Sequence, residues 1–353
     1  MTKFRKIGVL TSGGDAPGMN AALRAVTRSA IERGVGVMGI YRGYRGLIEN
    51  DIRPLGYRDM SGILHEGGTI LYSDRCQEFR TLEGQKRAAE ICRANDIDGV
   101  VVIGGDGTFR GGVDLTAQGI PTIGIPATID NDIASTDFTI GFDTAVNTSI
   151  EMVDRLRDTC ESLARSNVVE VMGRDAGDIA LHVGIAVGAI GIAIKEIPFD
   201  EEALLKKIIN AKNSGKRNYI VIVSEGLGNY SEHLAEIIPE KTGVDTRFAR
   251  LAHVVRGGRP TARDRMLATR MGDKAVECLL NGESNVVMCE RNGEIIPMDI
   301  TYALKLDRMY KKKLKEGELN GYSLRDIEEM RAICAEKTAR LRELYDMAER
   351  MSK

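Results

Sequence analysis

The chain has 353 residues, with 49 Lys and Arg against 51 Asp and Glu and a formal net charge of −2. Hydrophobic residues make up 43% and charged residues 28%, an ordinary globular composition, long enough for two domains and too near neutral to point to nucleic acid or a membrane as partner. Six scattered cysteines without a C-x-x-C pair suit a reducing cytoplasm, and the apolar run after the basic start is too short for a signal peptide or a membrane span.

Residues 6–11, KIGVLT, read as a strand that ends in the glycine turn TSGGDAPG. Residues 17–34 read as a helix, with Pro17 near its first turn and Gly34 beyond its end. A strand at 35–41 follows, then a helix at 81–96 that feeds the strand GVVVIGG at 99–105. This last run is apolar throughout, as a buried parallel strand is, and it leads into Gly105, Asp106, Gly107 and Thr108. PTIGIPAT, 121–128, is the next strand, and it opens the polar stretch PATIDND. After a helical pattern at 144–165 come strands at 166–173, 189–196 and 218–226, with helices between them. From Leu306 the chain is charged and helical. Ser323 to Asp326 reads as a capping box, and Ile327, Met330, Cys334, Leu341 and Tyr345 as an apolar stripe for packing. Lys311, Lys312 and Lys313 read as a solvated face.

Strand–helix alternation implies right-handed crossovers and parallel sheets covered on both faces. The strands outnumber what one compact sheet holds. The expectation is therefore α/β: two doubly wound, Rossmann-like domains, with a boundary near residue 140 that no linker composition marks. A faint echo links TSGGDAPGMNAALRAV with EVMGRDAGDIALHVGIAV.

Glycine turns follow strand ends at TSGGDAPG, IGGDGTFRGG and VMGRDAG. In open α/β sheets ligands bind outside the carboxyl ends of the strands, where backbone N–H groups and helix dipoles favour anions. Asp106 and the Thr128, Asp130, Asn131, Asp132 cluster crowd the same rim. Carboxylates beside a phosphate chain make sense with Mg²⁺, which takes one or two of them plus phosphate oxygens, while another accepts the proton of an attacking hydroxyl. Arg165, Arg174, Arg247, Arg250, His253, Arg256 and Arg259 in the second half suit a phosphate on the acceptor.

In these motifs, and through GIYRGYRGL, TDFTIGFDTA, DRLRDT and NVVEVMGR to about residue 305, the chain resembles the bacterial ATP-using 6-phosphofructokinases. The resemblance implies an active site between two similar domains, usually in a cytoplasmic homotetramer. It implies a nucleotide-binding domain at 1–140 and 254–305, a sugar-phosphate domain at 141–253 and 306–320, and a helical extension at 321–353. It implies transfer of the ATP γ-phosphoryl group to the 1-hydroxyl of fructose 6-phosphate. Gly14, Arg75, Cys76, Gly105, Asp106, Gly107 and Thr108 fall where the family binds ATP, with Asp106 serving Mg²⁺. Asp130 matches the catalytic base, and Thr128 and Arg174 match its neighbours at the reacting group. Met172, Gly173, Arg174, Glu225, His253 and Arg256 match the sugar-phosphate pocket, and Arg165 and Arg247 match the arginines lent by a neighbouring subunit.

Pyrophosphate-using relatives tend to carry Asp at the position of Gly107 and Lys at that of Ala127, so the two small residues favour ATP. Lipid and nicotinamide nucleotide kinases share the G-G-D-G-T turn but lack TIDND and AHVVRGG in this order, and a non-catalytic regulatory subunit would have lost Asp106 or Asp130. The family's effector pocket is matched at Arg24, Arg28, Arg157, Lys216 and Arg217. It is departed from at Tyr57, Gly62, Ile190 and Ser214, which predicts weak or absent activation by Mg-ADP.

Overall fold

A computed structural model describes residues 4–352. Its strands are β1 (Lys6–Ser12), β2 (Gly36–Ile40), β3 (Ile52–Leu55), β4 (Gly99–Gly104), β5 (Thr122–Pro126), β6 (Ser166–Val171), β7 (Gly191–Ala193), β8 (Tyr219–Ser224), β9 (Thr246–Arg250), β10 (Val286–Arg291) and β11 (Glu294–Asp299). Its helices are α1 (Met19–Glu32), α2 (Tyr44–Glu49), α3 (Leu82–Ala94), α4 (Asp106–Ala117), α5 (Phe142–Leu163), α6 (Asp178–Ala186), α7 (Glu201–Asn213), α8 (Tyr230–Thr242), α9 (Ala262–Leu280), α10 (Ile300–Tyr310) and α11 (Leu324–Met351).

The chain forms two compact units. The first holds the chain up to Ile129, Ile133–Asp143 and Arg256–Cys334; the second holds Asp130–Asp132, Thr144–Val255 and the chain from Ala335 onward. The change from first to second unit at Asp143 falls inside α5, which is why no linker composition marks it.

The first unit is built on a seven-stranded sheet in the order β11-β10-β5-β4-β1-β2-β3. The five central strands are parallel, and β3 and β11 pair antiparallel at the edges. β4 and β5 are buried along their whole length, as strands covered on both faces must be. β3 carries Pro54, tolerable because an edge strand has one unpaired side. Asn292 and Gly293 have φ of 52° and 82° and close the β10–β11 hairpin by a two-residue turn. Asn-Gly between two alternating runs is a strong hairpin signal, and the strand–helix reading of the sequence does not contain it.

The second unit is built on a four-stranded, all-parallel sheet in the order β7-β8-β6-β9. Val168, Val221 and Val223 pack there against Leu204 and Ile208 of α7 and Leu234 and Ile238 of α8. β1 and β6 are both interior strands followed by a helix, which is the structural counterpart of the sequence echo.

Two expectations for the tail are corrected. Residues 306–320 lie in the first unit, because Leu306 is buried with Ala134 and Met330, and the Asp307 carboxylate accepts the Ala134 N–H at 3.1 Å. Lys311 is not solvated: its ammonium pairs at 2.9 Å with the buried Asp307, whose charge needs a partner there. The capping box opens α11 as the sequence predicts. The Ser323 N–H and hydroxyl both donate to Asp326 Oδ2, and the Asp326 N–H donates to Ser323 Oγ.

Candidate active site

In the first unit β1 and β4 end at the same level, with Ser12 opposite Gly104. The two backbones come so close that a Cβ on Gly104 would lie 2.3 Å from the Ser12 carbonyl oxygen. Thr108 Oγ1 donates to that carbonyl at 3.0 Å and Tyr44 Oη donates to the Thr108 carbonyl at 2.7 Å, so Thr108 ties the first turn of α4 to β1. α4, like α1, α2, α6 and α8, starts without a side-chain cap among the described residues, whereas α3, α7, α9 and α10 are capped by Thr81, Asp200, Thr261 and Asp299. Its first N–H groups are therefore left for a ligand. No described atom would lie within 4 Å of a Cβ at Gly105 or Gly107, so the backbone there is open to close approach.

Asp106 stands in the first turn of α4, partly exposed, with Arg110 at 2.8 Å. Ser73 Oγ donates to the Gly13 carbonyl, which brings the segment carrying Arg75 and Cys76 to the β1 turn; Arg75 is exposed and Cys76 packs against the core. Arg256 lies on this turn too: its Nη1 donates to the Asp15 carbonyl at 3.2 Å and would sit 2.7 Å from a Cβ on Gly14. Thr128 is held by its carbonyl, which accepts from Thr139 Oγ1 at 2.6 Å. Among the described residues no cluster of three or more His, Cys, Asp or Glu could hold a metal ion. A cation here would depend on one carboxylate with phosphate oxygens and water, a donor set that fits Mg²⁺.

In the second unit the exits of β6, β8 and β9 share one rim. Glu225, after β8, accepts the backbone N–H groups of Gly173 at 3.0 Å and Arg174 at 2.7 Å through Oε1. This holds a strained turn, since Arg174 has φ 55° and Gly173 φ 143°, and a Cβ on Gly173 would meet the Ala176 carbonyl at 2.6 Å. Met172 is buried behind the turn. Asp130 is 2% exposed, and its Oδ2 lies 3.9 Å from Arg174 Nε. His253 follows β9 and is exposed.

Sequence reasoning did not find several supporting groups. Asp178 Oδ1 accepts from Asn131 Nδ2 at 3.2 Å. Glu196 Oε1 accepts the Gly177 N–H at 2.8 Å, and partial desolvation of this carboxyl pushes it above its ordinary range. Lys195 pairs with Asp175 in the same turn. Arg250, read as a phosphate ligand, is instead committed to Glu170 and Glu232, each at 2.6 Å.

Arg165 and Arg247 stand at the opposite ends of the strands, just before β6 and at the start of β9. Both reach Asp245, at 2.6 and 3.2 Å. Arg165 and Met172 flank the whole of β6, so about 20 Å of strand separates the two arginines from the Arg174 turn of the same unit.

At the positions of the family's effector pocket, Arg28 lies over the Tyr57 ring at 5.2 Å, and Tyr57 Oη donates to Glu32 at 3.1 Å. Arg157 donates to Asn218 and to the Val187 carbonyl, beside Lys216, whose ammonium is pushed down by burial and by Arg157. Ile190 is buried in the core of the second unit. Ser214 Oγ donates to the Ala211 carbonyl, and Gly62 has φ 81° with no described atom near its Cβ position.

The phosphofructokinase family profile matches residues 6–279. The chain is 52% identical over 311 residues, 88% of its length and 97% of the relative's, to an ATP-dependent 6-phosphofructokinase of Clostridium botulinum (strain Loch Maree / Type A3). It is 51% identical over 313 residues, 89% of its length and 98% of the relative's, to that of Clostridium tetani (strain Massachusetts / E88). Among solved structures, phosphofructokinase from Saccharomyces cerevisiae superimposes with a TM-score of 0.85 at 32% identity; the alignment covers 98% of this chain and 50% of the yeast chain.

Proposed function

The chain belongs to the phosphofructokinase family, and from that premise we infer its reaction: transfer of the γ-phosphoryl group of ATP to the 1-hydroxyl of D-fructose 6-phosphate, giving fructose 1,6-bisphosphate and ADP. The observation that carries the assignment of roles is the Asp130 carboxylate, buried and 3.9 Å from Arg174, on the segment that follows β5. Asp130 accepts the proton of the 1-hydroxyl as its oxygen bonds to phosphorus. Arg174, on the turn that Glu225 holds, offsets negative charge on the group in transit. Met172, Gly173, Glu225 and His253 line the sugar-phosphate side, with Arg256 beside the β1 turn, and Thr128 orients the acceptor.

Gly105 and Gly107 give the nucleotide's phosphates a close approach to backbone, with Gly14 and Thr108 beside them and Arg75 and Cys76 flanking. Mg²⁺, when bound, neutralises charge on the β- and γ-phosphates, and Asp106 is the residue that would hold it. Positioning and charge stabilisation supply most of the rate in such a transfer.

The distance of Arg165 and Arg247 from the Arg174 turn of their own unit supports a homo-oligomer, a homotetramer, in which each chain lends both arginines to a neighbour's site. Among the described residues no helix is long and apolar enough to cross a membrane, and the free cysteines support a reducing, cytoplasmic setting. The test is an assay of fructose 1,6-bisphosphate formation from fructose 6-phosphate with ATP or with pyrophosphate. ATP is expected to exceed pyrophosphate at least about tenfold in kcat/KM, or about 1.4 kcal/mol of transition-state binding. The reverse order would overturn the donor assignment.

A further inference from the structure

We propose that Lys337, on the C-terminal helix α11, is a positioning residue for Asp130. The proposal rests on the reading of Asp130 as the proton acceptor. Within the second unit the Lys337 ammonium donates to the Asn131 carbonyl at 3.4 Å. On its other side Asn131 donates through Nδ2 to Asp178 Oδ1 at 3.2 Å. Asn131 has φ 51°, in the left-handed region, which Asn enters more readily than most residues, and its contacts on both sides fix it there. Its peptide group follows directly on Asp130, and both residues are buried, with exposures of 2% and 3%. A rotation about the Asn131 backbone therefore carries the Asp130 carboxylate with it. The lysine fixes the backbone carbonyl of that pivot and Asp178 fixes its side chain.

The helix that delivers Lys337 is itself seated in the second unit. Leu341 and Tyr345 are buried, and Lys207 of α7 binds Glu349 and Ser352, both at 2.7 Å. Tyr345 and Glu349 lie about 12 and 18 Å beyond Lys337 along the helix axis, so the lysine comes from a rigid element fastened behind it. α11 lies outside residues 6–279, the part that the family profile matches. A displacement of about 1 Å at a reacting group costs up to about a hundredfold in rate, so a contact that only orients Asp130 has a measurable effect.

The experiment compares Lys337→Met and Lys337→Arg in the full-length protein, alone and combined with Asp130→Ser. Lys337→Met keeps the apolar stem and removes the donor. It is expected to lower kcat about tenfold, leave the ATP KM within about twofold, and leave the thermal midpoint near the parent's. Lys337→Arg is expected to stay within about threefold of the parent, because the guanidinium still donates. Asp130→Ser is expected to lower kcat at least about 10²-fold, and adding Lys337→Met to it should cost little more, because the lysine acts through the aspartate. Lys337→Met with kcat within twofold of the parent would overturn the proposal. So would an equal fold loss in both backgrounds, or a loss that tracks a fallen thermal midpoint and is not rescued by arginine. Near-parent turnover in Asp130→Ser alone would instead remove the base assignment, so the two readings fail separately.

Discussion

Asp106 and Gly107 are neighbours on the first turn of α4 and are asked for opposite things. The first supplies a negative oxygen for a cation; the second must keep negative charge away from the phosphates. Gly107→Asp tests this without breaking the fold, since a Cβ there meets no described atom within 4 Å and the φ is an ordinary one. Two unit charges 4 Å apart repel by about 4 kcal/mol near a protein surface, and even a fraction of that is a large change in affinity. Gly107→Asp is expected to raise the ATP KM at least about tenfold with the thermal midpoint unchanged. An unchanged ATP KM would remove Gly107 from donor recognition. Asp106, Asp130 and the glycine turns were legible in the sequence because their chemistry is local: strand, turn and carboxylate lie within a few residues. Asp178, Glu196 and Lys337 were not, because each meets its partner only after folding: Asn131 with Asp178, Gly177 with Glu196, Lys337 with Asn131. No spacing in the chain encodes those meetings. Arg250 was misread for the same reason, since its neutralising partners Glu170 and Glu232 lie far from it in sequence.

Among the elements, β4 and β8 were read correctly because a strand covered on both faces is apolar along almost its whole length, while β1 and β6 were read from shorter apolar runs, with Ser166, Asn167 and Glu170 of β6 buried although polar. β3, β9 and β11 are partly exposed and mix polar with apolar residues, so no period stands out. The start of α6 carries a testable electrostatic cost. Glu196 is a solvent-exposed residue whose Oε1 accepts the N–H of Gly177 at the N-cap of α6, and partial desolvation of that carboxyl raises its pKa above the ordinary 4.5. A carboxyl raised in the fold contributes most below the unfolded pKa, where both states are protonated, and loses that contribution as pH rises through the folded pKa. Glu196→Gln keeps an oxygen for Gly177 and cannot ionise. Its thermal midpoint is expected to exceed the parent's only slightly at pH 7, by about a degree, because solvent screens an exposed carboxylate, and to converge with it near pH 4. A constant difference across that range, or a lower midpoint at pH 7, would show that ionisation of Glu196 carries no penalty.

At the scale of the whole molecule, Arg165 and Arg247 separate a shared site from a self-contained one. Arg247→Ala chains and Asp130→Ser chains are each expected to be nearly inactive. Dissociated together and reassociated in equal amounts, they should regain about a quarter of parental activity, because half the pairs are hybrid and each hybrid has one complete site. Activity equal to the sum of the two separate variants would show that no site is shared. The sequence hinted at two domains by its surplus of strands but not at how they interleave: of the five passages between units, two fall inside α5 and α11, where the helical pattern runs on unbroken, and the others flank Asp130–Asp132 and fall between Val255 and Arg256, where no linker composition marks them. The interleaving also sets a timetable for synthesis. β10 pairs with β5, but residues 127–285 must be made between them. At about 5–20 residues per second, the ribosome leaves the apolar edge of β5 without its neighbour for roughly 8–32 seconds. A chain ended at residue 285 would keep that edge bare and is expected to self-associate where the whole chain does not. For this protein the hazardous interval of biosynthesis is long: it opens when about a third of the chain has been made and closes only when the β10–β11 hairpin completes one end of the sheet.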